Sequence, residues 1–545
     1  MHRRRITAVV AAALSAVSLL AACGRSAGGD TTGNINPLKG LVSTTAAGKK
    51  PVSSVTWAVY RDVNSLDPIF AFDYPENTAV SLLCESLLRQ SPSGAIVPGL
   101  ATLSTPSATK FVFTIKPGAS FWDGNPVTPA DVVYSLDRAS STTLGGFYSA
   151  VFSRVKSIAA SGSTSVTITL KQPDYWLQGE LASMPGIIIE KKFAEAQGKN
   201  YGTPGGSAMC TGAYKLKSFS PGVGVTAVAN AAYWNKSVHP LVQTILLKGV
   251  PDVSSLTSGL QTGAISGGYS FALSTLNQLT GNKNVKVVQG PGWSTDAFIV
   301  SSMKGVLGDV RVRRALSMAL DRQGIINSVY RGAALMPRWI SNPGTFGYGS
   351  SVFNAAYDKA PLLQRDVTAA KKLVQQAGAT GKTLTIGTSS QLSNISAVAG
   401  AYQAAAQAIG LKAKLKSVSA NDYINFFIDA KARAGVDGFL TVNYGDYADP
   451  AALLATVVLP DGSQNYDGFN NAQITSLMEK ARSTADPDAR AKLVAQVEQL
   501  AVQQMAWIPN AQPTTLLLLN KKLTGTTASF AYMFAPWADS FGGVG

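Results

Sequence analysis

Histidine is almost missing from this chain, and that limits the chemistry it can support. His2 and His239 are the only two, so a histidine-dependent nucleophile triad would have to use His239. No Gly-x-Ser-x-Gly elbow and no His-Glu-x-x-His pair occurs anywhere. His239 precedes Pro240 and reads as a plain loop residue. Gly381-Lys382-Thr383 has the ending of a phosphate-binding loop, but Gln376 stands where its first glycine is required, so it reads as a turn. Gly222-Val223-Gly224 leads into Val225-Thr226-Ala227-Val228 and reads as a hairpin loop. Carboxylate pairs suited to glycoside hydrolysis cannot be recognised by spacing alone. The expectation is a protein that is not an enzyme, with no cofactor and no metal.

Three cysteines carry the remaining reactive chemistry. Cys23 follows Leu20-Ala21-Ala22, behind a basic His2-Arg3-Arg4-Arg5 and an apolar-to-small run from Ile6 to Leu20. That arrangement resembles the lipobox of bacterial lipoproteins, which implies removal of residues 1–22 and lipidation of Cys23. Taken to Ala22, the run is about 17 mostly small residues, short against the roughly 20 that a membrane span needs. Residues 23–50 are rich in Gly, Ser, Thr and Asn and read as a lipidated flexible tether. The expected location is outside the cytoplasm, anchored to the outer face of the cell membrane. Cys84 and Cys210 then form an even pair in an oxidising compartment. A disulfide is the simplest reading; two unrelated buried thiols are the alternative, since spacing does not show that their Cα atoms approach.

The chain has 545 residues, 46% hydrophobic and 14% charged, so it can bury more than one core. Its formal charge of +16 is spread over single or paired basic residues such as Lys191-Lys192, Lys371-Lys372 and Lys521-Lys522, without interleaved aromatics. This favours a solvated basic face beside anionic lipid or wall polymer over nucleic acid.

The elements that must position any site alternate between strand and helix. Val55–Tyr60, Phe111–Ile115 and Val166–Leu170 alternate like half-buried strands, and Thr128-Pro129 opens a helix carrying Val132, Val133 and Leu136 on one face. A helix over 78–88 carries Cys84. From about Thr295 onward the pattern is amphipathic helices at 310–320, 369–377, 397–409 and 488–504, with strands at 383–386, 413–418 and 438–442 between them. Helices packed on sheets, an α/β class, are implied. Arg313, Arg314, Asp321 and Arg322 are expected to line a polar helix edge.

Five segments in order carry a resemblance. They are Leu66-Asp67-Pro68, the run from Phe121-Trp122-Asp123-Gly124 to Ser135-Leu136, Cys210-Thr211-Gly212-Ala213-Tyr214, Asn230-Ala231-Ala232-Tyr233-Trp234, and Val312-Arg313-Arg314-Ala315 to Asp321-Arg322. Together they resemble the family 5 extracytoplasmic solute-binding proteins that deliver dipeptides and oligopeptides to ABC importers. The resemblance implies a two-lobe periplasmic-binding-protein fold with a large extra subdomain, a hinge of two crossings and a ligand cleft between the lobes. The crossings are placed near 289–296 and 504–511, which makes the lobes 51–292 plus 508–545, and 293–507. It also implies that Asp446, in Asn443-Tyr444-Gly445-Asp446-Tyr447-Ala448-Asp449-Pro450, binds a peptide α-ammonium, with Asn443, Tyr444 and Tyr447 around it. Asp449 reads as a helix cap before Pro450. Phe72, Asp73 and Tyr74 are expected at the ligand edge of the first lobe and Tyr269 as a ligand contact; Phe147 and Tyr148 are weaker candidates.

The chain departs from the family in three places. Ser266-Gly267-Gly268 replaces an acidic residue that many relatives carry, Asn443 stands where many have tryptophan, and Ser389-Ser390-Gln391 lacks the arginine with which dipeptide binders hold a carboxylate. A strict dipeptide clamp is therefore disfavoured, which leaves a longer peptide or a non-peptide solute. The resulting expectation is a monomeric, membrane-anchored substrate-binding subunit working with an ABC permease and ATPase, and binding no nucleic acid. The rivals are a regulatory or scaffold lipoprotein of the same fold and, more remotely, a secreted hydrolase.

Overall fold

The computed structural model describes residues 40–269, 273–390 and 393–545. The leader, Cys23, Gln391 and residues 24–39 of the expected tether lie outside the described residues.

Two sheets organise the chain. The first has seven strands in the order Val285–Gly290, Thr515–Asn520, Gly267–Tyr269, Val52–Val59, Val242–Gly249, Gly224–Ala229, Tyr214–Ser220. Val52–Val59 is central and parallel to Val242–Gly249. It buries Val55, Trp57 and Val59, and the Trp57 ring packs on the C-terminal aromatics Trp537 and Phe541. The second sheet has six strands: Ala334–Leu335, Trp507–Pro513, Thr295–Val300, Gly438–Asn443, Thr383–Thr388, Lys412–Ser417. Every residue of Thr295–Val300 is buried, as expected of a central strand covered on both faces. A four-stranded antiparallel sheet, Ala101–Ser107, Lys110–Ile115, Ser165–Leu170 and Val155–Ala160, forms a subdomain with the helix Pro129–Ser140. Thr128 and Asp131 close a capping box on that helix.

The chain passes between the two large sheets twice, from Gly290 to Thr295 and from Pro513 to Thr515. The second crossing corrects the expected 504–511. Trp507–Pro513 pairs antiparallel with Thr295–Val300 and therefore belongs to the second lobe, not the first. Burial runs unbroken from Trp507 to Leu519, because the polar side chains of Asn510, Gln512, Thr514 and Thr515 are buried on partners inside the protein, so exposure does not mark where the chain changes sheet. The tether boundary also moves. Val42 N donates to Gln289 O at 2.9 Å, Thr45 N to Thr526 O at 3.0 Å, Gly48 N to Ser540 O at 2.8 Å and Lys49 N to Gly543 O at 2.8 Å. Residues 42–50 are thus laced onto the C-terminal segment by backbone hydrogen bonds, which composition does not reveal.

Arg313 and Arg322 are a third correction, being buried and not on a polar edge. Arg313 donates to the Gln504 carbonyl at 3.1 and 2.8 Å and Arg322 to the Pro509 carbonyl at 2.8 Å, pinning their helices to the second crossing strand and its approach. Cys84, just past the helix Tyr74–Leu83, is disulfide-bonded to Cys210 with Cα atoms 4.9 Å apart. Among the described residues no helix is long and apolar enough to cross a membrane.

Candidate functional site

Between the two large sheets lies a small, partly open cavity of about 50 Å³. Tyr74, Tyr269, Phe530 and Tyr532 come from the first lobe, Tyr330 and Val442 from the second, and Thr514 from the crossing itself. Its walls are held rigidly. Tyr269 stacks on Tyr532 with centroids 3.4 Å apart and donates its hydroxyl to Thr527 O at 2.6 Å. Tyr330 donates to Asp296 at 2.9 Å, and Asn510 Nδ2 donates to the other carboxylate oxygen at 3.0 Å. Burial still pushes Asp296 up to about 6.

Tyr74 reaches this wall because Asp73 caps its helix, accepting from Tyr74 N at 2.8 Å, with Pro75 in the first turn. The Asp73 carboxylate also pairs with Arg61 at 2.5 Å and accepts the Tyr60 hydroxyl, while Arg61 grips Glu76 with two bonds of 2.7 and 2.8 Å. Asp73 is thus a cap and an ion-pair partner, and its oxygens are committed to the protein. Phe72 is more than a third exposed and packs on the exposed Phe147, centroids 4.1 Å apart, at the rim.

The strand Gly438–Asn443 delivers the Asp446 loop to the opposite side of the cleft. Asn443 turns inward to its own lobe: its Oδ1 accepts from Tyr444 N at 2.9 Å and its Nδ2 bonds Gln464. Tyr444 crosses the cleft, donating to Phe72 O at 2.9 Å with its ring edge-on to Tyr74 at 4.9 Å. Tyr447 belongs to the second-lobe core and lies so close to Gly179 that a Cβ there would stand 2.2 Å from the ring. Asp449 caps the helix Pro450–Val458, accepting from Ala451 N at 2.8 Å.

Asp446 differs from these neighbours. Its carbonyl accepts Gln90 Nε2 from the first lobe at 2.8 Å. Among the described residues its half-buried carboxylate has no hydrogen bond and no ion pair. Burial pushes it up to about 7. Glu180, at the end of the short first-lobe helix Leu177–Glu180, is raised well above the usual range by burial first and then by the charge of Asp446. Tyr148 lies in the same neighbourhood, donating its hydroxyl to Ala71 O. Two carboxylates from opposite lobes therefore face one region whose nearby cation, Arg482, is already paired with Asp174.

Of the sequence-predicted residues, Asp446, Tyr444, Tyr74 and Tyr269 are brought to the cleft and Phe72 to its rim. Asp73, Asn443 and Tyr447 are occupied within the protein. Sequence reading did not single out Glu180, Gln90, Tyr330 or Tyr532, which carry no local pattern of their own.

A profile of the bacterial extracellular solute-binding proteins, family 5, matches residues 95–465. The chain belongs to that family. The family 5 relatives include the Escherichia coli periplasmic murein peptide-binding protein MppA, 26% identical over 486 residues, covering 85% of this chain and 88% of MppA. The fold matches AgaA of A. tumefaciens in complex with agropinic acid, with a TM-score of 0.78, 21% identity, and coverage of 90% of this chain and 98% of that one. It also matches the ABC transporter-associated binding protein DppA of Helicobacter pylori in complex with the peptide STSA, with a TM-score of 0.77, 20% identity, and coverage of 91% and 99%. This chain thus has the two-lobe fold of the family 5 solute-binding proteins, with a cleft between the lobes, and its relative MppA is a periplasmic protein.

Proposed function

We propose that this protein is a membrane-tethered, non-enzymatic subunit that captures a peptide or peptide-like solute by its free ammonium group and passes it to an ABC permease. The observation that carries this reading is the Asp446 carboxylate, half-buried on a cross-lobe loop and unpaired among the described residues. A buried carboxylate stays ionised at little cost only when a cation joins it, and a primary ammonium supplies both charge and hydrogen bonds. The cavity lined by Tyr74, Tyr269 and Tyr532 offers ring faces to the rest of the ligand. MppA and DppA, whose names or complexes specify peptides, point the same way.

A second reading, a non-peptide solute bearing an amine or another cation, draws on the missing arginine at Ser389-Ser390 and on the agropinic acid held by AgaA. Native mass spectrometry of protein purified without refolding separates the two. A retained mass that fragments into amino-acid residues supports the peptide, and a retained solute with no cationic nitrogen overturns the ammonium assignment. Anchoring through Cys23 is tested by Cys23→Ser, which is expected to release the protein from membranes; retention in high-salt buffer, where attraction from the basic face is screened, would overturn the anchor.

A further inference from the structure

The stretch from Pro173 to Leu181 leaves the four-stranded subdomain of the first lobe and lies against the second lobe, away from both crossings in sequence. Asp174, whose side chain is 1% exposed, pairs with Arg482 at 2.6 Å. The Arg482 guanidinium sits 5.3 Å from the Trp176 ring, and Tyr175 N donates to the Arg482 carbonyl at 2.9 Å, closing the C-terminal end of the helix Ala472–Arg482. Trp176 is 5% exposed and packs within the second-lobe core. Arg154, also buried, pairs with Glu479 and donates to Ser483 Oγ at 3.1 Å. Three residues beyond Trp176, Gly179 rests on the Tyr447 ring; its neighbour Glu180 then shares the region of Asp446, the neighbour of Tyr447.

One short segment thus carries an aromatic anchor, a buried ion pair, a helix-end hydrogen bond and a carboxylate at the site. We propose that residues 173–181 form a strap that docks on the second lobe to hold the cleft closed, and that docking brings Glu180 against Asp446 so that closure is favoured when a cationic ligand group lies between them. The second half rests on Asp446 as the ammonium site; the first half does not. Without a cation, two carboxylates approaching in a partly dry site repel, which opposes docking. With the ligand ammonium present the repulsion becomes a bridge between lobes. The same segment would then set affinity through the closed–open equilibrium without Asp174 or Trp176 touching the ligand.

Small-angle scattering on the full protein without ligand tests the strap itself. Asp174→Asn and Trp176→Ala are each expected to increase the radius of gyration over wild type, and tri-alanine as a probe is expected to bind about tenfold more weakly to either, as the closed fraction falls. Glu479→Gln, changed at a half-exposed side chain, gives a third variant should Trp176→Ala fail to fold. Unchanged radius and unchanged affinity in Asp174→Asn and Glu479→Gln overturn the strap. Glu180→Gln tests the charge reading: it is expected to compact the unliganded protein and to reduce the further compaction that tri-alanine produces, whereas expansion without ligand overturns that half. If tri-alanine does not bind wild type, the peptide reading fails, and the ligand-free radii alone decide the strap.

Discussion

The two halves of the cleft are built on opposite principles. Around Tyr269 and Tyr532 polar atoms and ring faces meet protein partners: a hydroxyl on Thr527, a stacked pair at 3.4 Å, and an Asp296 carboxylate held by Tyr330 and Asn510. Around Asp446 and Glu180 carboxylates converge from two lobes while the nearby arginine is spent on Asp174. The first half is satisfied without ligand and defines shape. The second is left electrostatically incomplete and defines charge. Satisfied groups tolerate loss of a ligand contact but not of their own partners; incomplete groups behave the other way round.

If that contrast holds, substitutions in the tyrosine wall damage the fold first. Tyr269→Ala is expected to cost about 3 to 5 kcal/mol of stability, in the range for truncating a large buried ring, measurable by urea denaturation. A cost under about 1 kcal/mol would show the wall to be loosely packed. The Cys84–Cys210 disulfide fastens the end of the helix that begins at Tyr74, so its double replacement by alanine is expected to cost about 2 to 5 kcal/mol on thermal melting.

pH sharpens the contrast further. Asp446 is pushed up to about 7, against about 4 when unfolded. Because the folded value is the raised one, this group's contribution to stability is full below about pH 4 and is lost as pH rises through about 7. Ligand-free protein is therefore expected to melt higher at pH 5 than at pH 8, and Asp446→Asn to flatten part of that slope. Binding of an ammonium needs the carboxylate and runs oppositely, strengthening from pH 5 toward 7. Asp296 at about 6 adds to the stability slope but leaves the binding slope alone. The smallest effect expected is Tyr269→Phe, about 1 kcal/mol for one hydrogen bond, read as a shift in denaturation midpoint with ligand affinity nearly unchanged.

Much of this architecture is legible in the residues. The run from Phe121 to Leu136 and that from Val312 to Arg322 carry the family resemblance, and Thr128-Pro129 announces a helix start that the capping box realises. Asp446 was reachable through the resemblance alone, since an acid in a tyrosine-flanked loop has no signature of its own. What escaped did so for physical reasons. Asp73 looked available, but a residue before Tyr74-Pro75 is claimed by its helix end, and Arg61 lies twelve positions away in sequence. The polar stretch from Pro509 to Thr515 reads as a turn or linker, yet Asn510, Gln512 and Thr514 are buried on internal partners and most of it continues a second-lobe strand, which composition does not show. Glu180 sits in a four-residue helix with no pattern, and its meaning exists only when the second lobe is beside it. Residues 42–50 are polar and glycine-containing, yet backbone pairing orders them.

The central claim is that Asp446 holds a ligand ammonium, and a calorimetric cycle with tri-alanine and N-acetyl-tri-alanine on wild type and Asp446→Asn tests it most directly. Either change alone is expected to cost on the order of 2 to 5 kcal/mol of binding. Both together are expected to cost little more than one, because each removes the same ion pair. Additive losses, or a wild-type protein indifferent to N-acetylation, would contradict the assignment.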